Sequence, residues 1–213
     1  APAAPGVAAP PAPAQATAAA TPAPPKPDPG GAATGGIGDI TAKVPGKPTI
    51  EEIAETAGHN KISINIMWTL IAGFLVMFMQ AGFAIVETGL CRAKNANHTM
   101  MMNFMVYGVG MLAYWLIGFA IQMGGVGAVG NLGGTAPLSS ETMVTLFGKS
   151  VGIFGNNGIF LMHHGTYDVG VMVMFLFQMV FMDTALTIVT GSAAERWKFA
   201  AFLISSFFLG AIT

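Results

Sequence analysis

Charge is what this sequence has least of. Its 9 Lys and Arg and 10 Asp and Glu make up 9% of 213 residues and nearly cancel, to a net charge of -1. A soluble domain carries about a quarter charged residues, so this shortage points to a membrane. It leaves no basic face for nucleic acid and no acidic tail. Cysteine is nearly missing too. Cys91 stands alone, so no intrachain disulfide can form and no cysteine cluster can hold a metal. A methionine start is absent: residue 1 is Ala, and the first residues lack the charged start and apolar core of a signal peptide. The expectation is a signal already removed or a start that is missing.

What is present is apolar. Hydrophobic residues make up 53% of the chain and the mean hydropathy is +0.62. The first part is the exception. Residues 1–48 are rich in Ala, Pro and Gly, a composition that cannot bury enough surface to order itself, and they are expected to form a disordered extracytoplasmic tail. Residues 49–61 follow as a short surface helix and linker, with Thr49 as N-cap, Glu52 three residues on and Gly58 as a stop.

Residues 62–213 form a membrane domain in this reading, with four apolar segments at roughly 64–90, 100–122, 169–191 and 197–213. The first three have the length of about 20 residues that a bilayer demands. Helices are the default there, because an open strand in lipid leaves its backbone groups unpaired. The expected fold is all-α, a polytopic transmembrane helix bundle. The run "FAAFLISSFFLGAIT" ends at Thr213 with no polar flank, so the last span is expected to be cut and the chain to be an N-terminal fragment. The short loops "CRAKNANH" and "GSAAERWKF" hold Arg92, Lys94, Arg196 and Lys198, whereas Lys149 is the only Lys or Arg between Met123 and Asp168. Short basic loops sit in the cytoplasm, which puts the N-terminus and the long Gly-rich loop outside. Trp68 and Trp197 then fall where an interfacial belt would place them.

Several residues carry more chemistry than a lipid-facing helix needs. Asp183 lies well inside the third span, where an Asp costs roughly 2.5 to 3.5 kcal/mol even on a lenient scale. It must face protein or water, either as part of a pathway or as an internal hydrogen-bonded strut. Glu87, five residues before Arg92, is explained more cheaply by a local ion pair or a snorkelling carboxylate than by function. Phe177 and Phe181 share a helix face, with Gln178 beside them. Spacing alone favours packing for this pair, although a ring facing a pore would attract a cation to its π face. His163 and His164 have no cluster to make them a metal site, and "GGVGAVGNLGG" lacks the flanking strand and helix of a phosphate loop. No nucleophile and base are placed to meet, and neither enzyme chemistry nor a cofactor is expected.

The runs "GFAIVETGLCRAKN", "HTMMMNF" and "FQMVFMDTALTIVTGSAAERWKF" together resemble the ammonium transporter family, Amt/Mep/Rh, over roughly residues 62–213. The resemblance implies eleven helices in two five-helix inverted repeats plus a last helix, of which this chain supplies the first. It implies a homotrimer in the plasma membrane with one pathway through each subunit. Ammonium is recruited at an outer vestibule and deprotonated, and ammonia and the proton cross a hydrophobic pore. By resemblance Phe181 matches the first gate phenylalanine and Phe177 an aromatic of the recruitment site. Gln178, Asp183 and Glu87 are candidates for polar support; Asp183 is not the family's buried aspartate, and Glu87 stands where many members have tyrosine. The second gate phenylalanine, the vestibule tryptophan and both pore histidines are expected beyond Thr213. A PII-type regulatory protein is implied as a partner of the whole protein. The alternatives are an ammonium sensor's membrane domain or an inactive truncated remnant.

Overall fold

The computed structural model describes residues 40–125, 130–133, 138, 140–162 and 166–213. The chain divides into two units, 1–49 and 50–213. Most of the expected Ala/Pro-rich tail lies outside the described residues, as do His163 and His164 and parts of the Gly-rich loop. In the first unit a turn brings the Lys47 N–H to the Val44 carbonyl at 3.0 Å.

The second unit is built on helices. Helix α1, Ile50–Leu90, runs unbroken for 41 residues, about 61 Å at 1.5 Å per residue. That is roughly twice the hydrocarbon thickness. The stop expected at Gly58 does not occur, and the surface helix and first span are one helix. A glycine ends a helix by taking a left-handed conformation, and Gly58 is not among the glycines with positive φ. Acidic Glu51 and Glu52 occupy its first turn, where they complement the helix dipole.

A 3-10 turn, Ala93–Asn95, leads into α2, Ala96–Ala113, which continues through a π-helical turn, Tyr114–Gly118, into α3, Phe119–Met123. The second apolar segment is therefore one 31-residue helical run from Ala93 to Met123. Helix α4 spans Val169–Ser192, with the Asp168 carboxylate accepting from the Gly170 N–H at its start, and α5 spans Phe199–Ile212. Three of these helical runs are long and apolar enough to cross a membrane, and α5 is a shorter apolar helix.

Among the described residues, one unit is not helical. Strands β1, Glu141–Leu146, and β2, Lys149–Gly155, form an antiparallel hairpin within the stretch expected to be loop. The β-branched Thr and Val residues of "TMVTL" favour a strand, and the Phe147–Gly148 turn, with both residues at positive φ, suits a two-residue hairpin loop.

The core lies where α2, α4 and α5 meet: Met102, Val106, Tyr114, Phe119, Val180, Leu186 and Phe202 are buried. Gly110 and Gly118 permit that closeness. A Cβ on Gly110 would come within 2.6 Å of Leu186 Cδ1, and one on Gly118 within 2.6 Å of the Gly210 carbonyl. Small residues at helix contacts are what drive association once lipid has removed the hydrophobic advantage.

Candidate functional site

Two places on α4 carry the sequence-derived residues, one toward each end of the bundle. Around the middle of α4, the Phe177 and Phe181 rings lie 4.9 Å apart and tilted by 52°. Phe177 packs over Gly73 of α1, where a Cβ would be in ordinary contact with its ring at 3.7 Å. Phe177 and Gln178 help to line a cavity of 640 Å³ shared with Asn65, Trp68 and Thr69 of α1, Asn131 and Leu132, and Met174. Asn65 Nδ2 donates to the Asn131 carbonyl at 2.8 Å, which fixes that wall. Phe181, 43% exposed, stands one turn further along α4. Trp68, considered only as a belt residue from sequence, proves to be a wall of this cavity.

The second place is a polar seam inside the α1–α2–α4 contact. Thr187 donates to Gln80 Oε1 at 2.6 Å, and Gln80 Nε2 donates to the Asn103 carbonyl at 3.0 Å. Asn103 Nδ2 donates to Glu87 Oε2 at 2.7 Å, and the Gly191 N–H also donates to Glu87. A Cβ on Gly191 would sit 2.6 Å from Glu87 Oε1, so the glycine permits that approach. Glu87 thus ties α1 to α2 and α4, and makes no local pair with Arg92. Gln80 and Asn103 were invisible as partners because helix spacing says nothing about which residue of another helix lies opposite.

Asp183 is 2% exposed. It lies one turn before Thr187 on the same face, near enough to Tyr107 of α2 for the two to interact electrostatically. The Tyr107 hydroxyl bonds Met77 Sδ at 2.9 Å. Among the described residues, Asp183 Oδ1 has no hydrogen-bond partner. The strut expectation for Asp183 therefore has the burial it requires but no bond at this oxygen.

Beyond the seam, at the ends of α1 and α4, lies a 490 Å³ cavity lined by Glu87, Cys91, Arg92, Gly191, Glu195 and Arg196 among others. Arg92 Nη2 pairs with Glu195 Oε2 at 2.8 Å, Arg92 Nε bonds the same oxygen at 2.9 Å, and the Arg92 backbone N–H reaches Oε1 at 2.7 Å. These bonds hold the Glu195 carboxyl down at about 2 from its ordinary 4.5, the side-chain bond from Arg92 contributing most, and Arg92 is pushed up in return. Glu195 adopts a left-handed φ of 66°, which a non-glycine residue holds only when its surroundings fix it. No group of three His, Cys, Asp or Glu that could hold a metal occurs among the described residues.

The Ammonium Transporter Family model matches residues 67–213. The ammonium transporter Amt2 of Archaeoglobus fulgidus is 41% identical over 160 residues, covering 75% of this chain and 29% of that protein. A putative ammonium transporter of Synechocystis is 36% identical, covering 67% and 22%, and ammonium transporter 1 member 3 of Solanum lycopersicum is 34% identical, covering 69% and 26%. A solved structure described as a sensor Amt protein superposes with a TM-score of 0.55 at 28% identity, over 72% of this chain and 33% of that one. The chain thus spans less than a third of the length of these relatives. Its bundle of apolar helices and its sequence over residues 67–213 place it in one group: the chain belongs to the Ammonium Transporter Family.

Proposed function

We propose that this chain forms part of a multi-pass protein of the plasma membrane that moves ammonium, recruited at an outer vestibule, deprotonated, and conducted as ammonia and a proton through a hydrophobic pore in each subunit of a homotrimer. The observation that carries the reading is the Phe177–Phe181 pair set against the cavity of Asn65, Trp68, Thr69 and Gln178. Aromatic faces attract a cation, and the amide and hydroxyl oxygens beside them can accept its N–H bonds. Phe181, deeper along α4, is the ring that closes the path inward. Gln178 supplies polar support in the cavity wall, and Asp183 and Glu87 supply it from the buried helix contacts behind.

The cavity lies outside in this reading and the Arg92–Glu195 pair in the cytoplasm, because the basic short loops fall on the latter side. A PII-type regulator would dock on that cytoplasmic face. The test is reconstitution of the intact gene product in liposomes. An imposed ammonium gradient is expected to drive a current and luminal ammonia accumulation, both weakened by Phe181→Ala. Neither signal above that of empty liposomes would overturn the reading.

A second reading rests on the superposition with a sensor Amt protein: the same helices can serve as the ammonium-binding domain of a sensor. Ammonium binding with no flux in that assay would favour it.

A further inference from the structure

Both ends of the β1–β2 hairpin are tied to the last turn of a spanning helix. The Ser140 N–H donates to the Gly124 carbonyl at 3.1 Å and the Asn156 N–H to the Ser140 carbonyl at 3.0 Å. A Cβ on Gly155 would stand 2.5 Å from the Ala120 carbonyl, so the end of β2 lies directly on α3. The helical run that α3 closes is long and apolar enough to cross the bilayer, and the hairpin therefore starts where that run reaches the membrane boundary. Just past β2, Phe160 sets its ring edge-on to Trp115 at 5.6 Å, and Leu112 and Ile117 of the same helical run are exposed. Aromatic rings beside exposed apolar residues mark the edge of a lipid-facing surface. From that edge the seven residues of β2 extend about 23 Å.

The two faces of the hairpin differ. Pairing sets Val144 against Val151 and Leu146 against Lys149, and residues paired across strands share a face. The pairs between and beside them, Thr145 with Ser150 and Met143 with Gly152, fall on the other face. Val144, Leu146 and Val151 are 40 to 56% exposed. The Glu141 carboxylate lies over Gly152, where a Cβ would collide with it. One face is thus aliphatic with a single cation at its end, and the other mixes Met143 with Thr145, Ser150 and Glu141. At the tip, Phe147 is 98% exposed at a φ of 52°, a place where Asn or Asp is usual and a bulky ring is strained. A two-stranded hairpin is marginal in water by itself, and a ring held out at its tip gains nothing there. Lipid supplies what both require: an apolar layer for the aliphatic face and the ring, and phosphate groups for Lys149.

We propose that the hairpin lies on the membrane surface, with Val144, Leu146, Val151 and the Phe147 ring in the headgroup–acyl boundary of the outer leaflet and Lys149 paired with the phosphate of an anionic lipid. Seated this way, it pins the segment between α3 and α4 to the bilayer. The choice of leaflet rests on the orientation given above, and the seating requires no ammonium movement.

The test uses the intact gene product in liposomes of mixed anionic and zwitterionic lipid, with its cysteines, Cys91 included, replaced by serine. An environment-sensitive fluorophore is attached at Leu146→Cys or, on the other face, at Thr145→Cys. The expected result is that a lipid spin-labelled just below its headgroup quenches the label at residue 146 and aqueous iodide does not, with the order reversed at residue 145. Lys149→Gln should lower the preference of the label at residue 146 for an anionic over a zwitterionic spin-labelled lipid about fivefold, the contribution of one cation near a charged surface. An unchanged preference overturns the pairing with Lys149. Iodide quenching at residue 146 equal to that at residue 145 overturns the proposal by placing the hairpin in water. Quenching by neither agent at residue 146 overturns it too, because protein then covers the face. If the cysteine variants do not insert, the unsubstituted protein decides: a photoactivatable lipid with its reactive group at the glycerol level should modify residues 144–151, and adducts confined to the helices overturn the proposal. An impermeant maleimide added to whole cells should label Thr145→Cys; no labelling there overturns the outward orientation, and the quenching still decides the seating.

Discussion

Helices α1 and α4 are both long and apolar, yet they stand in different surroundings. Within the apolar window of α1 only 6% of residues are buried, against 44% in α4. Trp68, Phe74, Leu75, Phe78 and Ile85 of α1 are exposed, whereas Asp183, Thr187 and Thr190 of α4 are buried. In water this arrangement would be inverted. In lipid it is the polar group that must be covered by protein, so buried polar residues mark which face of a membrane helix meets its neighbours. α1 shows the same rule in miniature: Gln80 and Glu87 lie on the face turned to α2 and α4.

The contrast can be broken most strongly by truncating one leucine on each helix. Leu186→Ala removes a side chain 2% exposed and packed at Gly110, and should cost about 2 kcal/mol or more through the cavity it leaves. Leu75→Ala, at a site 69% exposed, should stay within about 0.5 kcal/mol. Unfolding titrations in mixed detergent micelles compare the two, and equal losses would show that α1 is covered as fully as α4. A smaller effect separates two threonines. Thr187→Val deletes the bond to Gln80 between helices and should lose about 0.6 kcal/mol. Thr69→Val, whose hydroxyl bonds back to the Asn65 carbonyl of its own helix, should be close to neutral in the same titration.

The smallest effect concerns the tie between the far ends of the two helices. Glu195 is held at about 2, below its ordinary 4.5. Its contribution is therefore present in full above pH 4.5 and is lost as the pH falls toward 2. The pair is solvent-exposed and screened by salt, so only a slight acid-side decline in melting temperature is expected, and Glu195→Gln should flatten it. A decline of the same slope in Glu195→Gln would assign the acid sensitivity to another carboxylate.

Much of this was legible in the sequence. The apolar runs gave three spanning helices and a shorter fourth, and the four-residue spacing put Phe177 and Phe181 on one face. What escaped was set by contacts between segments distant in the chain. Glu87 looked like the neighbour of Arg92, but Arg92 reaches Glu195, 103 residues away, and Glu87 turns to Asn103. Gly58 looked like a stop, but glycine ends a helix only where the chain has reason to turn left-handed, and here it goes straight on. The hairpin was hidden inside a glycine-rich stretch because its strands, of six and seven residues, carry no regular alternation of apolar and polar side chains.

The π-helical turn at Tyr114–Gly118 holds one residue more than an α turn, its bonds reaching five residues back instead of four. In a regular helix one extra residue turns everything beyond it by about 100°; taken up in the wider turn, it leaves the far end on its own face. Deleting one residue of "YWLIG" to restore a regular helix should therefore keep Gln122, which accepts the Tyr114 hydroxyl bond, and Phe119, with its contacts to Tyr114 and Phe175, where they are. The same deletion within α2 would swing both to another face.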